Sequence, residues 1–139
     1  MYLLDTVFLS EVHRRAQNDP AVLWMRRQKP ADLFMSAMSV LEIERGIEKQ
    51  RRRDPSFAAV LEAWLRDTRA AFGKRALPIT TDIAQRWGRM QIELKRDDDD
   101  LAIAATALEH GLQVVTRNVR HFNTTGVVVI NPFDAAGSP

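Results

Sequence analysis

The sequence predicts an α/β fold with a central parallel sheet covered by helices on both faces. Three observations lead there. The strand candidates are short and continuously apolar, as expected of strands buried on both faces rather than one. Segments with helical apolar spacing lie between them, the pattern of repeated strand–helix–strand units. The 139 residues, 45% hydrophobic and 27% charged, are the length and composition of one soluble domain with a core of its own.

The elements follow in order. Tyr2, Leu3 and Leu4 form an apolar run that ends at Asp5 and reads as the first buried strand. A helix is expected from about Ser10 to Ala16, and a second short one after Pro20, carrying Val22, Leu23 and Met25. Leu33 to Met35 form the next strand. Ser39 begins a helix with Val40, Leu41, Ile43 and Ile47. Asp54-Pro55 starts another, with the carboxylate as cap and proline in the first turn. Phe57, Val60, Leu61, Trp64, Leu65 and Thr68 mark one face of it, and Gly73 ends it. Leu77 to Ile79 form a brief strand. Thr81 caps the helix bearing Ile83, Trp87, Met90 and Leu94. Leu101, Ala104, Ala105 and Leu108 mark a further helix, closed by Gly111. Leu112, Val114 and Val115 form a strand, and Val127 to Ile130 the last. Residues 1–134 read as one domain, and Ala135 to Pro139 as a loose tail.

Composition removes some classes of function. The chain has no cysteine, so disulfides and thiolate metal sites are excluded. Residues 1–25 show no charged start followed by a long apolar run, so neither a signal peptide nor a membrane span is expected there. A soluble cytoplasmic protein is the simplest expectation. The net charge is only +2, but its distribution is uneven. Basic residues gather at Arg26, Arg27 and Lys29, at Lys49 and Arg51 to Arg53, and at Arg117 and Arg120. Acid is densest at Asp97 to Asp100. Such runs are often solvated faces, yet separated basic patches and one acidic focus also suit a polyanion held beside a cation.

In parallel α/β sheets the functional crevice lies beyond the carboxyl ends of the strands. Asp5, Glu42 and Asp100 each occupy an element end that such a sheet aims at that crevice. Singly, each has a structural explanation. Asp5 can be a turn or cap residue. Ser39-x-x-Glu42 is a capping box. Acids before the Leu101 helix complement its dipole. Jointly, three converging carboxylates repel one another, which is rarely built for stability. Mg²⁺ or Mn²⁺ removes the conflict, because these ions favour oxygen ligands and complete their shells with water and phosphate oxygens. A bound water is thereby made a nucleophile for phosphodiester hydrolysis, and nearby arginines hold phosphates bidentately.

Four blocks resemble PIN-domain toxins of the VapC type, especially the FitB-like group. They are Leu3-Leu4-Asp5-Thr6 with Leu9-Ser10-Glu11; Ser36 to Glu42 with Glu44-Arg45-Gly46-Ile47; Asp100 to Ala107; and Thr116-Arg117-Asn118 with Arg120, Phe122, Gly126-Val127 and Asn131-Pro132-Phe133. The blocks run in order over nearly the whole chain, and their succession is what makes the resemblance specific. It implies a PIN-like three-layer α/β/α sandwich and a metal-dependent endoribonuclease, the toxin of a type II toxin–antitoxin pair. It implies Asp5, Glu42 and Asp100 as catalytic, metal-binding acids, with Asp100 chosen among four aspartates by its spacing to Ile103-Ala104-Ala105-Thr106. Thr6, Asn118, Arg117, His121 and Asp99 are the supporting candidates. RNA as substrate, a cognate VapB-type antitoxin and a homodimer follow from the same resemblance.

Two positions depart from the family pattern. Val7 stands where an asparagine is usual, and the closing block offers Asn118 and His121 where many members carry a fourth acid. These departures motivate an alternative of another class, a PIN-like module that binds RNA or protein with weakened catalysis. A phosphoacceptor receiver domain is set aside: residues 3–11 place no acid beside Asp5, and Thr116-Arg117-Asn118 holds no lysine.

Overall fold

A computed structural model describes residues 1–133 of the chain; the tail expected at Ala135 to Pro139 lies outside the described residues. The strands are β1 (Tyr2–Leu4), β2 (Leu33–Ser36), β3 (Ala76–Leu77), β4 (Gln113–Val115) and β5 (Val129–Ile130). The helices are α1 (Thr6–Arg14), α2 (Pro20–Arg27), α3 (Ala37–Arg53), α4 (Pro55–Phe72), α5 (Thr81–Leu94) and α6 (Asp100–His110). Among the described residues the sheet has five strands in the order β3-β2-β1-β4-β5, and every pairing is parallel. β1 is therefore central, which explains why Leu3 and Leu4 are both fully buried.

Side chains alternate across a strand, so each strand feeds both layers. Leu3 and Val114 enter one core with Ile83, Leu101, Ile103 and Phe122, beneath α5 and α6. Leu4 and Val115 enter the other with Phe8, Leu9, Ala21 and Met35, beneath α1 and α2. The second core is the aromatic one: Tyr2 and Phe8 both meet Trp24 edge-on, at centroid distances of 5.0 and 5.9 Å. A smaller cluster of Ile43, Ile47, Ala58 and Leu65 joins α3 to α4. The expected three-layer sandwich is what forms.

Several boundaries differ from expectation, each for a local reason. The first helix begins at Thr6 rather than near Ser10, because the Asp5 carboxylate caps it by accepting from Phe8 N at 2.8 Å. α3 begins at Ala37, with Ser36 rather than Ser39 as its cap. Ser36 Oγ accepts from Met38 N at 3.0 Å, and Ser39 lies fully buried inside the helix. Thr80, not Thr81, caps α5, accepting from Ile83 N at 3.1 Å. Asp54 caps α4 as expected, accepting from Phe57 N at 3.1 Å. The expected stops hold at Gly73 and Gly111, whose positive φ of 55° and 65° suits the absence of a Cβ. The face predicted on α4 is only partly inward: Leu65 is buried, whereas Phe57 and Val60 are exposed.

Candidate active site

The parallel register builds the site. β1 and β4 pair with Leu4 opposite Val115, so the next residues, Asp5 and Thr116, leave the sheet edge side by side. Asp5 is 2% exposed. Its Oδ1 accepts from Phe8 N, and its Oδ2 accepts from the Thr116 hydroxyl. Thr116 is held in turn, its Oγ1 accepting from Asn118 N at 2.9 Å. The carboxylate is thus fixed by the start of α1 on one side and by the turn after β4 on the other.

Glu42 arrives from the second turn of α3 and is half-buried. The capping-box alternative fails, since Ser39 is not the cap. Instead Thr6 Oγ1 donates to Glu42 Oε1 at 2.7 Å and lies 2.8 Å from Ser39 Oγ. Thr6 therefore orients the Glu42 carboxylate. Asp100 opens α6, and His121 Nδ1 donates to its Oδ2 at 2.8 Å.

The electrostatics match the convergence. Burial pushes the Asp5 carboxyl up to about 6, and the charges of Asp100 and Glu42 push the same way, against the bonds from Thr116 and Phe8. Glu42 is raised by burial and by Asp99 and Asp100. Asp100 is raised by burial, with His121 opposing. Three carboxyls held above their ordinary range by desolvation, with neighbouring acids adding to it, are a feature of functional sites.

The supporting candidates divide. Asp99 is near: it ion-pairs with Arg45 of α3 at 2.8 Å and raises Glu42. Asn118 contributes its backbone to the turn that holds Thr116. Arg117 turns away. Its guanidinium bonds Glu11 at 3.1 Å and lies 4.4 Å over the Phe133 ring, so its expected place against the phosphate is not where the structure puts it. Asp98 is paired with Arg96. Thr116 and Ser39 were missed as site residues. Pairing the first and fourth strands in the sequence would have found Thr116, since the register alone sets it beside Asp5.

The family model described as "PIN domain" matches residues 2–127. The chain belongs to the PIN-domain family. VapC ribonuclease Y4jK of Sinorhizobium fredii is 32% identical over 144 residues, covering 98% of this chain and all of the relative. Among solved structures, FitAcB from Neisseria gonorrhoeae superposes with a TM-score of 0.82 at 29% identity, covering 96% of this chain and 99% of that one. A toxin-antitoxin complex from Klebsiella pneumoniae gives 0.72 at 25%, covering 96% and 99%.

The donor set suits a hard divalent cation in its chemistry, being carboxylate oxygen from three separate elements. It is not gathered into a finished shell. Among the described residues no three His, Asp or Glu side chains stand close enough together to hold an ion as posed. Each acid is turned to a local partner, Thr116, Thr6 or His121.

Proposed function

We propose that this PIN-domain protein is a metal-dependent endoribonuclease and the toxin of a type II toxin–antitoxin pair. The observation that carries the reading is the meeting of Asp5, Glu42 and Asp100 at one edge of a parallel sheet, all three with raised carboxyl pKa values. The relative named as a VapC ribonuclease supports RNA as substrate, and the Klebsiella complex supports an antitoxin partner.

Asp5, Glu42 and Asp100 would hold Mg²⁺ or Mn²⁺. When bound, such an ion would supply positive charge beside phosphate oxygens and make a water more acidic. The chain's own residues set the geometry. Thr116 and Phe8 N hold Asp5 rigid, so its carboxylate cannot swing away from the crevice. Thr6 aims Glu42, and Asp100 stands on the first turn of α6. Arg45, beside Asp99 and three residues after Glu42, is an exposed cation, close enough to act on Glu42, that a phosphate can recruit. A groove of about 250 Å³ lined by His13, Ile43, Phe57, Leu61 and Trp64 continues from Thr6 and Glu42 and suits an apolar segment of the antitoxin. An arginine of that partner, placed among the three acids, would match them bidentately and exclude the cation. The exposed Val60 face of α4 suits a second copy of the chain. Among the described residues no helix is long and apolar enough to cross a membrane, in keeping with a cytoplasmic setting. The relative named as a VapC ribonuclease favours this reading over the weakened-module alternative.

The test is RNA cleavage by the purified protein with Mn²⁺, alone and after chelation. Wild type cleaves, chelation stops it, and Asp100→Asn lowers the rate at least about 100-fold with the fold intact. Cleavage that survives both chelation and Asp100→Asn refutes the reading.

A further inference from the structure

We infer that α3 carries the RNA strand away from the cut, with Lys49, Arg52 and Arg53 holding its phosphates and Phe57 stacking a base, so that the substrate is single-stranded. The inference rests on the ribonuclease reading above and adds a path and a strandedness to it.

The charges of α3 are sorted by face. Glu42, Arg45, Lys49, Arg52 and Arg53 recur at three- and four-residue spacings within the helix, so they lie along one side of it. That stripe starts at a site acid and rises roughly 16 Å to the end of the helix. All four of its basic residues are exposed. Glu44, Glu48 and Arg51 fall on the neighbouring side. There Arg51 is taken by Glu48 at 3.0 Å and by Glu62 of α4 at 3.2 Å. Among the described residues the only other ion pair of α3 is Arg45 with Asp99. Lys49, Arg52 and Arg53 therefore keep their charges free. Cations in a last turn complement the helix dipole, which is a structural reason for Arg52 and Arg53. It does not reach Lys49, which lies before that turn.

Gly46 marks the same path. A glycine inside a helix costs stability, and packing gives no reason for this one, since a Cβ there would meet no atom within 4 Å. Gly46 stands one turn after Glu42 and lines the groove that also holds Thr6, Glu42 and Phe57. Bare backbone lets a ligand lie close against the helix. Phe57 is exposed in that groove and offers a ring face to a base. Stacking on a side chain needs an unpaired base, and a basic track beside an aromatic platform is how single strands are held. An antitoxin segment in this groove would displace the strand.

Fluorescence anisotropy of a labelled single-stranded oligoribonucleotide, with divalent ions chelated, reads binding apart from cleavage. Wild type should bind it more tightly than the perfect duplex of the same sequence. Lys49→Ala/Arg52→Ala/Arg53→Ala should lower affinity at least about tenfold. It should also flatten the slope of log affinity against log salt by about 2, because each phosphate contact on a single strand contributes about 0.7. Lys49→Ala alone should flatten it by about 0.7, and Lys49→Arg should restore it. Arg26→Ala/Arg27→Ala/Lys29→Ala removes as much charge from exposed residues that lead into β2, at the opposite end of the sheet, and should leave the slope unchanged. Gly46→Leu should bind RNA more weakly without melting lower. Equal slopes in the two triple variants, or a duplex bound as tightly as the single strand, overturn the inference. So does an absence of binding by a wild type that still cleaves RNA with Mn²⁺, and in each of these cases the nuclease reading stands. Neither binding nor cleavage by wild type overturns both.

Discussion

Helix α6 contains two regions that obey opposite rules. Its first residue, Asp100, is a half-buried carboxyl pushed above its ordinary range. The next seven, Leu101 to Ala107, are at most 1% exposed, and all but Thr106 are apolar. Thr106 returns its hydroxyl to Ala102 O at 2.8 Å, so even that polar atom is satisfied inside the helix. The floor is built for stability, and the mouth above it is built against stability. Buried like charges cost free energy, and a helix apolar all round contributes it. The domain concentrates its unfavourable electrostatics at the sheet edge where chemistry is proposed and offsets them directly beneath.

The contrast is broken most decisively by exchanging what each region is allowed to lose. Ile103→Ala, in the floor, should cost about 2–5 kcal/mol of stability. It should leave cleavage per folded molecule within a few-fold of wild type. Asp5→Asn and Glu42→Gln should do the reverse, lowering cleavage at least about 100-fold without lowering the melting temperature. Denaturant titration beside single-turnover cleavage measures both. Equal losses of stability and activity in the two regions would mean that mouth and floor are one structural unit.

A pH series sharpens the same comparison at one residue. The Asp5 carboxyl titrates near 6 in the fold against 3.8 ordinarily, so the native state holds this proton more tightly than the unfolded chain. Its contribution to stability is fully present below about pH 4 and is lost as pH rises through 6. At pH 7.5 the ionised group costs on the order of 3 kcal/mol. Asp5→Asn stays neutral, and an asparagine keeps the cap on α1. The variant should therefore melt roughly 5–10 °C above wild type at pH 7.5, with the gap closing toward pH 4. A gap independent of pH would show that the burial of Asp5 carries no charge penalty. Mn²⁺ should raise the melting temperature of wild type and not of the variant.

The floor was readable from the sequence and the mouth only in part. Unbroken apolar runs such as Leu3-Leu4 and Val114-Val115 declare strands buried on both faces, and Leu101, Ala104, Ala105 and Leu108 declare a buried helix, because hydrophobic periodicity is local. The three acids were legible as element ends. What each acid touches was not. Ser39 and Glu42 satisfy the spacing of a capping box, yet Ser36 is the cap, because the chain already turns at the end of β2 and Ser39 is drawn under Thr6. The Asp5–Thr116 and Asp100–His121 bonds join residues 111 and 21 positions apart, and only the strand order brings those pairs together. The start of α1 was misplaced for a related reason: Asp5 reads as the end of a strand, while its carboxylate also begins the helix.

The smallest expected effect decides on which side of the boundary Arg117 belongs. It follows Thr116, the residue that holds Asp5, and by position it should serve the phosphate. Its guanidinium is instead taken by Glu11 of α1 and by the face of Phe133, which Arg15 also covers at 4.9 Å. Phe133 packs edge-on to Phe8 at 5.6 Å, so Arg117 ties the segment after β5 to α1 and the aromatic core. An exposed ion pair contributes about 0–1 kcal/mol and an exposed cation–π contact about 0.5–1 kcal/mol. Arg117→Ala should then lower stability by about 1 kcal/mol and change cleavage by less than about threefold. Arg117→Lys should recover part of the stability, since the charge near Glu11 returns without the planar stack. Arg45→Ala is the matched control, because Arg45 stands beside Asp99 and should weaken RNA binding more than it weakens the fold. Should Arg117→Ala raise the Michaelis constant for RNA tenfold while Arg45→Ala leaves it unchanged, Arg117 must leave Glu11 when substrate arrives, and the mouth extends further along β4 than the geometry assigns it.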